Sequence, residues 1–247
     1  MRVIFLSVFL SLSGVAHAER IVSLNLCTDA YLLRLAPERA VALSPLARDP
    51  ALSVVAEEAR NIPWVRADAE AVLALKPDLV LAGPFGARTT LAALERAGLR
   101  VERTALPQNF NAIADETRRL AGLLGVAARG EAMVAQMWRR LGSVHPTRPT
   151  RAVFLGARGY VAGPGTLEDA VLRAAGWVNS GAGGRVGLEA LAAAPPELLV
   201  TSRAPEFPSL ATDFVRHPVL RWIPRRVVSP ALLACGGPWT AAVVEGL

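Results

Sequence analysis

Short apolar runs rich in β-branched residues alternate along the chain with segments whose apolar residues recur at helical spacing. The runs Arg20–Asn25, Ala40–Ser44, Leu79–Gly83 and Arg100–Ala105 predict strands in the first half, and Arg151–Gly156, Leu198–Arg203 and Arg226–Ser229 predict strands in the second. Helices are predicted between them, among others over Asp29–Ala36, Thr89–Ala97, Thr166–Ala175 and from Thr240 onward. Such alternation points to α/β units with mainly parallel sheets. Proline and glycine mark the loops, at Ser44-Pro45, Gly83-Pro84, Gly163-Pro164-Gly165, Gly181 to Gly187 and Cys235-Gly236-Gly237-Pro238.

Between the halves lies a segment without strand character. Residues 109–143 repeat apolar residues at helical spacing (Ile113, Leu120, Leu124, Met133, Met137, Leu141), with Gly125 as a break. At about 1.5 Å per residue, the piece from Ala127 to Leu141 spans about 22 Å, enough for a stiff strut between two lobes. His145-Pro146-Thr147-Arg148-Pro149 reads as the helix stop and lobe boundary.

The first stretch, MRVIFLSVFLSLSGVAHAER, places one cation (Arg2) before an apolar run from Val3 to about Leu12 and a small-x-small site at Ala16-His17-Ala18. This is the pattern of a secretory signal peptide, residues 1–18, cleaved near Ala18. The apolar run is too short for a span of roughly 20 residues, so an uncleaved anchor is the weaker reading. The formal net charge is +6, but the arginines are scattered without a basic stripe. That favours solubility or an anionic ligand over nucleic acid.

Export bears on the two cysteines. In an oxidising compartment Cys27 and Cys235 read as a disulfide; two separate thiols, or a soft ligand for a metal-bearing guest, are the other readings. A helix start at Cys27 would favour a thiolate. Beyond the signal segment, however, only His145 and His217 could serve it as a base, and neither lies in a nucleophile context.

An internal repeat orders the halves. "EAVLALKPDLVLAG" (Glu70–Gly83) and "EALAAAPPELLVTS" (Glu189–Ser202) share a glutamate opening a helix, a proline seven residues on, an acid after it and an apolar strand. Reuse of one helix–turn–strand unit explains this without function. The acid complements the helix dipole, and the proline ends the helix before a buried strand.

The run "RIVSLNLCTDAYLLRLAPERAVALSP", the two repeat units and the central helix resemble the soluble binding components of bacterial ABC importers for cobalamin and ferric siderophores. The similarity covers essentially the whole chain after the signal segment. The resemblance implies two Rossmann-like α/β lobes with mainly parallel sheets, 19–125 and 145–247. A single long helix, 126–144, joins them, and a ligand cleft lies between. It implies a periplasmic, monomeric protein that captures a metal chelate and hands it unaltered to a membrane permease, with no cofactor and no metal site of its own. By match to the family motif, Glu70 and Glu189 would dock on the permease. The short final helix and the cysteine pair depart from the family pattern.

In such a fold, ligand contacts come from loops at the strand ends. These are Asn25, Leu26, Ser44, Pro45 and Phe85 in the first lobe, and Arg158, Tyr160, Trp177, Arg203 and Trp239 in the second. The aromatic faces suit a corrin or porphyrin ring, and Arg158, Arg185 or Arg203 suit carboxylates or phosphate. The ligand order expected is corrinoid, then siderophore, then haem. The alternative is an exported enzyme acting on a small ligand in the same cleft. The chain carries no Gly-x-Ser-x-Gly, His-Glu-x-x-His or P-loop. "GAGGRVG" is expected to be a flexible loop with no strand before it. The cysteines and histidines lack metal-ligand spacing.

Overall fold

A computed structural model describes residues 19–145, 148–203 and 210–247. The expected signal segment, residues 1–18, and Pro146-Thr147 of the expected lobe boundary lie outside the described residues.

The first sheet is built from β1 (Ile21–Ser23), β2 (Ala40–Ala42), β3 (Leu79–Ala82) and β4 (Arg100–Arg103), all parallel, in the order β2-β1-β3-β4. The second half contains β5 (Arg151–Phe154), β6 (Tyr160–Val161), β7 (Val178–Asn179), β8 (Gly184–Arg185), β9 (Leu198–Ser202) and β10 (Arg225–Val228). Four of these form a parallel sheet in the order β10-β9-β5-β7, and β6 pairs with β8 in an antiparallel ribbon. The two parallel sheets share one topology. In each, the first strand of the half lies between the second and the third, and the fourth is outermost. The repeat seen in the sequence is thus a repeat of the wiring. β3 and the first four residues of β9 are buried throughout, as a parallel strand covered on both faces must be.

The helices are α1 (Leu26–Leu35), α2 (Ala69–Ala74), α3 (Arg88–Arg96), α4 (Phe110–Leu123), α5 (Ala127–Gly142), α6 (Leu167–Ala174), α7 (Leu188–Ala193), α8 (Leu210–Arg216) and α9 (Ala241–Glu245). Side-chain caps start several of them. Asn25, Asp68, Asn109 and Thr166 each accept from a backbone N–H in the first turn of α1, α2, α4 and α6. The central segment divides at Gly125, whose φ of +65° suits glycine.

α4 and α5 then pack side by side and touch both cores. Phe110, Ile113, Val134 and Met137 join the core of the second sheet, while Leu120, Ala121 and Leu124 join that of the first. The two helices approach closely at Gly130, where an added Cβ would stand 2.4 Å from the Ala121 Cβ.

One expectation is corrected. The glycine-rich run 181–187 does follow a strand, β7, and part of it is β8 itself. The ribbon forms because Gly163 and Gly183 lack side chains: a Cβ on Gly163 would meet the Gly183 Cα at 2.8 Å, and only bare backbones pass that closely.

Candidate functional site: the strand-end loops of the two sheets

In parallel α/β sheets ligands bind beyond the carboxyl ends of the strands. Here those ends converge. Cys27, just after β1, is bonded through Sγ to Cys235, which follows β10, with Cα atoms 5.2 Å apart. The bridge replaces the two other readings of these cysteines, since the described chain holds no free thiol. Around it, Tyr31 Oη of α1 donates to the Gly236 carbonyl at 3.1 Å. Gly236 lies so close to Pro107, beyond β4, that a Cβ there would stand 2.9 Å from its carbonyl oxygen. The loops after β1 and β4 of one sheet therefore meet the loop after β10 of the other.

The first rim is held by helix caps and a buried carboxyl. Asn25, half-buried, caps α1 by accepting from Cys27 N at 2.9 Å, and Gly83 leaves room for it, since a Cβ there would sit 2.5 Å from Asn25 Nδ2. Leu26 follows as the first, half-buried residue of α1. Ser44 is buried and donates to Asp29 from both its hydroxyl (2.5 Å) and its N–H (3.0 Å), which fixes the loop at Pro45, an exposed residue. Burial pushes the Asp29 carboxyl up to about 6, against the opposing pull of hydrogen bonds from Ser23 and Ser44. Phe85 is 77% exposed on a turn where Gly86 and Ala87 take positive φ, so its ring is presented to solvent.

On this side the β4–α4 loop is held by Glu116. Buried, it accepts from Ala105 N and pairs with Arg119, beside a depression of about 400 Å³ lined by Ala105 to Asn109.

The opposite rim carries Arg158, Tyr160 and Arg185. Tyr160, 47% exposed, is the direct cross-strand partner of Arg185, so the two side chains share one face of the ribbon. Arg158, exposed at φ +55°, stands two residues before Tyr160. Neither arginine forms an ion pair with a described residue. Arg203 is exposed at the end of β9, beside a cavity of about 370 Å³ that Leu155, Gly156, Ser202 and α8 also line.

The two tryptophans are placed differently. Trp177 packs half-buried against the core of the second sheet. Trp239 leans on Tyr31 with ring centroids 5.1 Å apart and donates from Nε1 to the Cys235 carbonyl, so it braces the disulfide segment. Glu70 and Glu189 are exposed second residues of the matching helices α2 and α7. The contributions of Asp29, Tyr31 and Glu116 escape sequence reading, because each depends on burial by distant segments. The only local signal was the charge of Asp29 within the otherwise apolar start of α1.

Among the described residues no group of three or more His, Cys, Asp or Glu is placed to hold a metal, and no helix is long and apolar enough to cross a membrane.

Two parallel-stranded lobes meeting at their strand ends define a binding protein, and residues 21–224 match the family described as periplasmic binding protein. The chain belongs to that family. It is 26% identical to the periplasmic heme-binding protein RhuT from Roseiflexus sp. RS-1, with a TM-score of 0.72 over 92% of this chain and 95% of that one. It is also 26% identical to a periplasmic heme-binding protein from Pseudomonas aeruginosa, with a TM-score of 0.69 over 92% and 91%. The fold is shared with the heme-binding protein HutB of Vibrio cholerae, 18% identical, at a TM-score of 0.76 over 93% and 97%. In sequence, 116 residues are 32% identical to a cobalamin-binding protein of Halobacterium salinarum, covering 44% of this chain. The match spans about a third, 31%, of that relative's length.

Proposed function

We propose that this protein is the periplasmic solute-binding component of an ABC importer, and that its cleft takes a tetrapyrrole metal chelate, a corrinoid first. The observation that carries the reading is the convergence of strand-end loops around the Cys27–Cys235 bridge, with the exposed Phe85 ring on one rim and Tyr160 on the other. Exposed aromatic faces on strand-end loops of both lobes suit a planar macrocycle, held by burial of apolar area. Asn25, Leu26 and Pro45 complete the first wall, with buried Ser44 fixing the loop behind it; Arg158, Arg185 and Arg203 supply cations to the second. The cobalamin-binding relative and the heme-binding neighbours take ligands of this class.

Haem is the second reading. It is favoured by Arg158 and Arg185 flanking Tyr160 without acidic partners among the described residues, an arrangement that suits carboxylates. In this account residues 1–18 are the export signal, 19–125 and 145–247 the lobes, and 126–144 the connection. The mature protein is a monomer that meets its permease through Glu70 and Glu189.

The test is titration of purified protein with cyanocobalamin, haemin and a panel of ferric hydroxamates, followed by tryptophan quenching. One-to-one binding of a tetrapyrrole, recovered chemically unchanged, supports the reading. Binding of none of them, or a ligand that emerges altered, overturns it and favours the enzyme.

A further inference from the structure

The base of the second lobe carries a feature the cleft does not use. β10 runs parallel to β9, so the turn 217–224 that enters it lies at the amino ends of these strands, away from the cleft. Leu220 and Ile223 point into the core and pin this turn from within. Between and beside them, Val219 is 39% exposed and Trp222 is 78% exposed, the largest exposure among the described large hydrophobics.

Arginines flank this apolar tip. Arg216, His217, Arg221, Trp222 and Arg225 line a shallow cavity of about 470 Å³, and Arg221 lies over the Trp222 ring at 4.6 Å. No acidic residue occurs in the sequence between Asp213 and Glu245, whereas residues 19–125 hold acidic and basic side chains in equal number. The excess of positive charge therefore lies beyond residue 125, and this turn carries part of it.

We propose that this turn is a docking surface for an anionic lipid bilayer, with the arginines on headgroup phosphates and Trp222 and Val219 in the interfacial layer. A free anion is held best by an enclosed set of donors. An exposed apolar tip flanked by guanidinium groups instead matches the boundary between headgroups and acyl chains, where tryptophan and arginine each satisfy an apolar and a polar side. Charge complementarity selects anionic over zwitterionic lipid.

The test is co-sedimentation of the full chain with vesicles of phosphatidylcholine alone or mixed with phosphatidylglycerol. Binding is expected to the mixed vesicles only, released at high salt, and about tenfold weaker in Arg221→Glu/Arg225→Glu. The charge-matched control Arg60→Glu/Arg96→Glu, on exposed positions of the first lobe, is expected to retain most of it. Arg225 is half-buried; should its variant not fold, Arg221→Glu/Trp222→Ala, at two exposed positions, replaces it. No binding to the mixed vesicles, equal loss in the control, or binding of inorganic phosphate without vesicle binding would each overturn the proposal.

Discussion

Cys27 and Cys235 lie 208 positions apart in sequence and are joined by a disulfide that ties the first helix of one lobe to the last segment of the other. A cross-link closing so long a loop removes much conformational freedom from the unfolded chain, typically about 2–4 kcal/mol of stabilisation. Reduction, or the pair Cys27→Ser/Cys235→Ser, is expected to lower the unfolding free energy from guanidinium denaturation by that amount, with a correspondingly lower midpoint. The Tyr31–Trp239 contact and the Tyr31–Gly236 hydrogen bond still hold the segment, so the fold survives. Equal midpoints with and without reductant, with thiols counted in both, would contradict this.

Asp29 gives stability an inverted pH dependence in one window. Its carboxyl titrates near 6 in the folded protein, against 3.8 for the free group, because burial disfavours the charge. The folded state therefore binds more protons than the unfolded state between about pH 4 and pH 6. The contribution of this group is full below pH 4 and is lost as pH rises to 6, a change of about 3 kcal/mol. Asp29→Asn removes the titration. The stability of wild type relative to that variant is expected to fall by this amount between pH 4 and pH 6 in urea unfolding, and to stay level above it. A constant difference across the range would show that the carboxyl titrates normally.

What was legible in the sequence follows the range of the interactions. β3 and β9 were readable because a strand buried on both faces must be a continuous apolar run, and Gly125 because a helix end there needs positive φ. The two-residue strands β6, β7 and β8 were not. β6 and β8 pair beside the close backbone passage at Gly163 and Gly183, and β7 is a two-residue edge of the β5 sheet; neither leaves a periodic trace. At the site, Phe85 was singled out as a loop-borne aromatic after Gly83-Pro84, and its ring is exposed. Trp239 looked equivalent, but its ring lies on Tyr31, more than two hundred positions earlier, a contact no local pattern encodes.

Two glycines in the α4–α5 pair are expected to respond oppositely to alanine. At both, helix propensity favours alanine by about 1 kcal/mol. Gly122 has nothing within 4 Å of an added Cβ, so Gly122→Ala stabilises by up to about that amount. Gly130 would push its Cβ to 2.4 Å from Ala121, and overpacking of a helix contact costs about 1–3 kcal/mol. Gly130→Ala is therefore expected to be neutral to destabilising by about 2 kcal/mol. Thermal melts that rank the two variants the other way would show that α4 and α5 are not packed at this distance.

Glu70 and Glu189 occupy the same place in the two halves, second in six-residue helices that each lead into the third strand of their sheet. Both are exposed, and neither forms an ion pair with a described residue. A carboxylate in the first helical turn gains about 0.3–1 kcal/mol from the dipole, too little to make its reversal a threat to the fold. On the docking reading, paired charges on opposite lobes set the register and on-rate of association with a two-fold permease. Glu70→Lys and Glu189→Lys are expected to leave chelate affinity within about twofold of wild type, since exposed charges are screened by solvent and salt. They are also expected to abolish stimulation of the importer's ATPase in proteoliposomes, with glutamine variants intermediate. Full stimulation by the double lysine variant would remove the glutamates from the interface and leave them as helix-start acids alone.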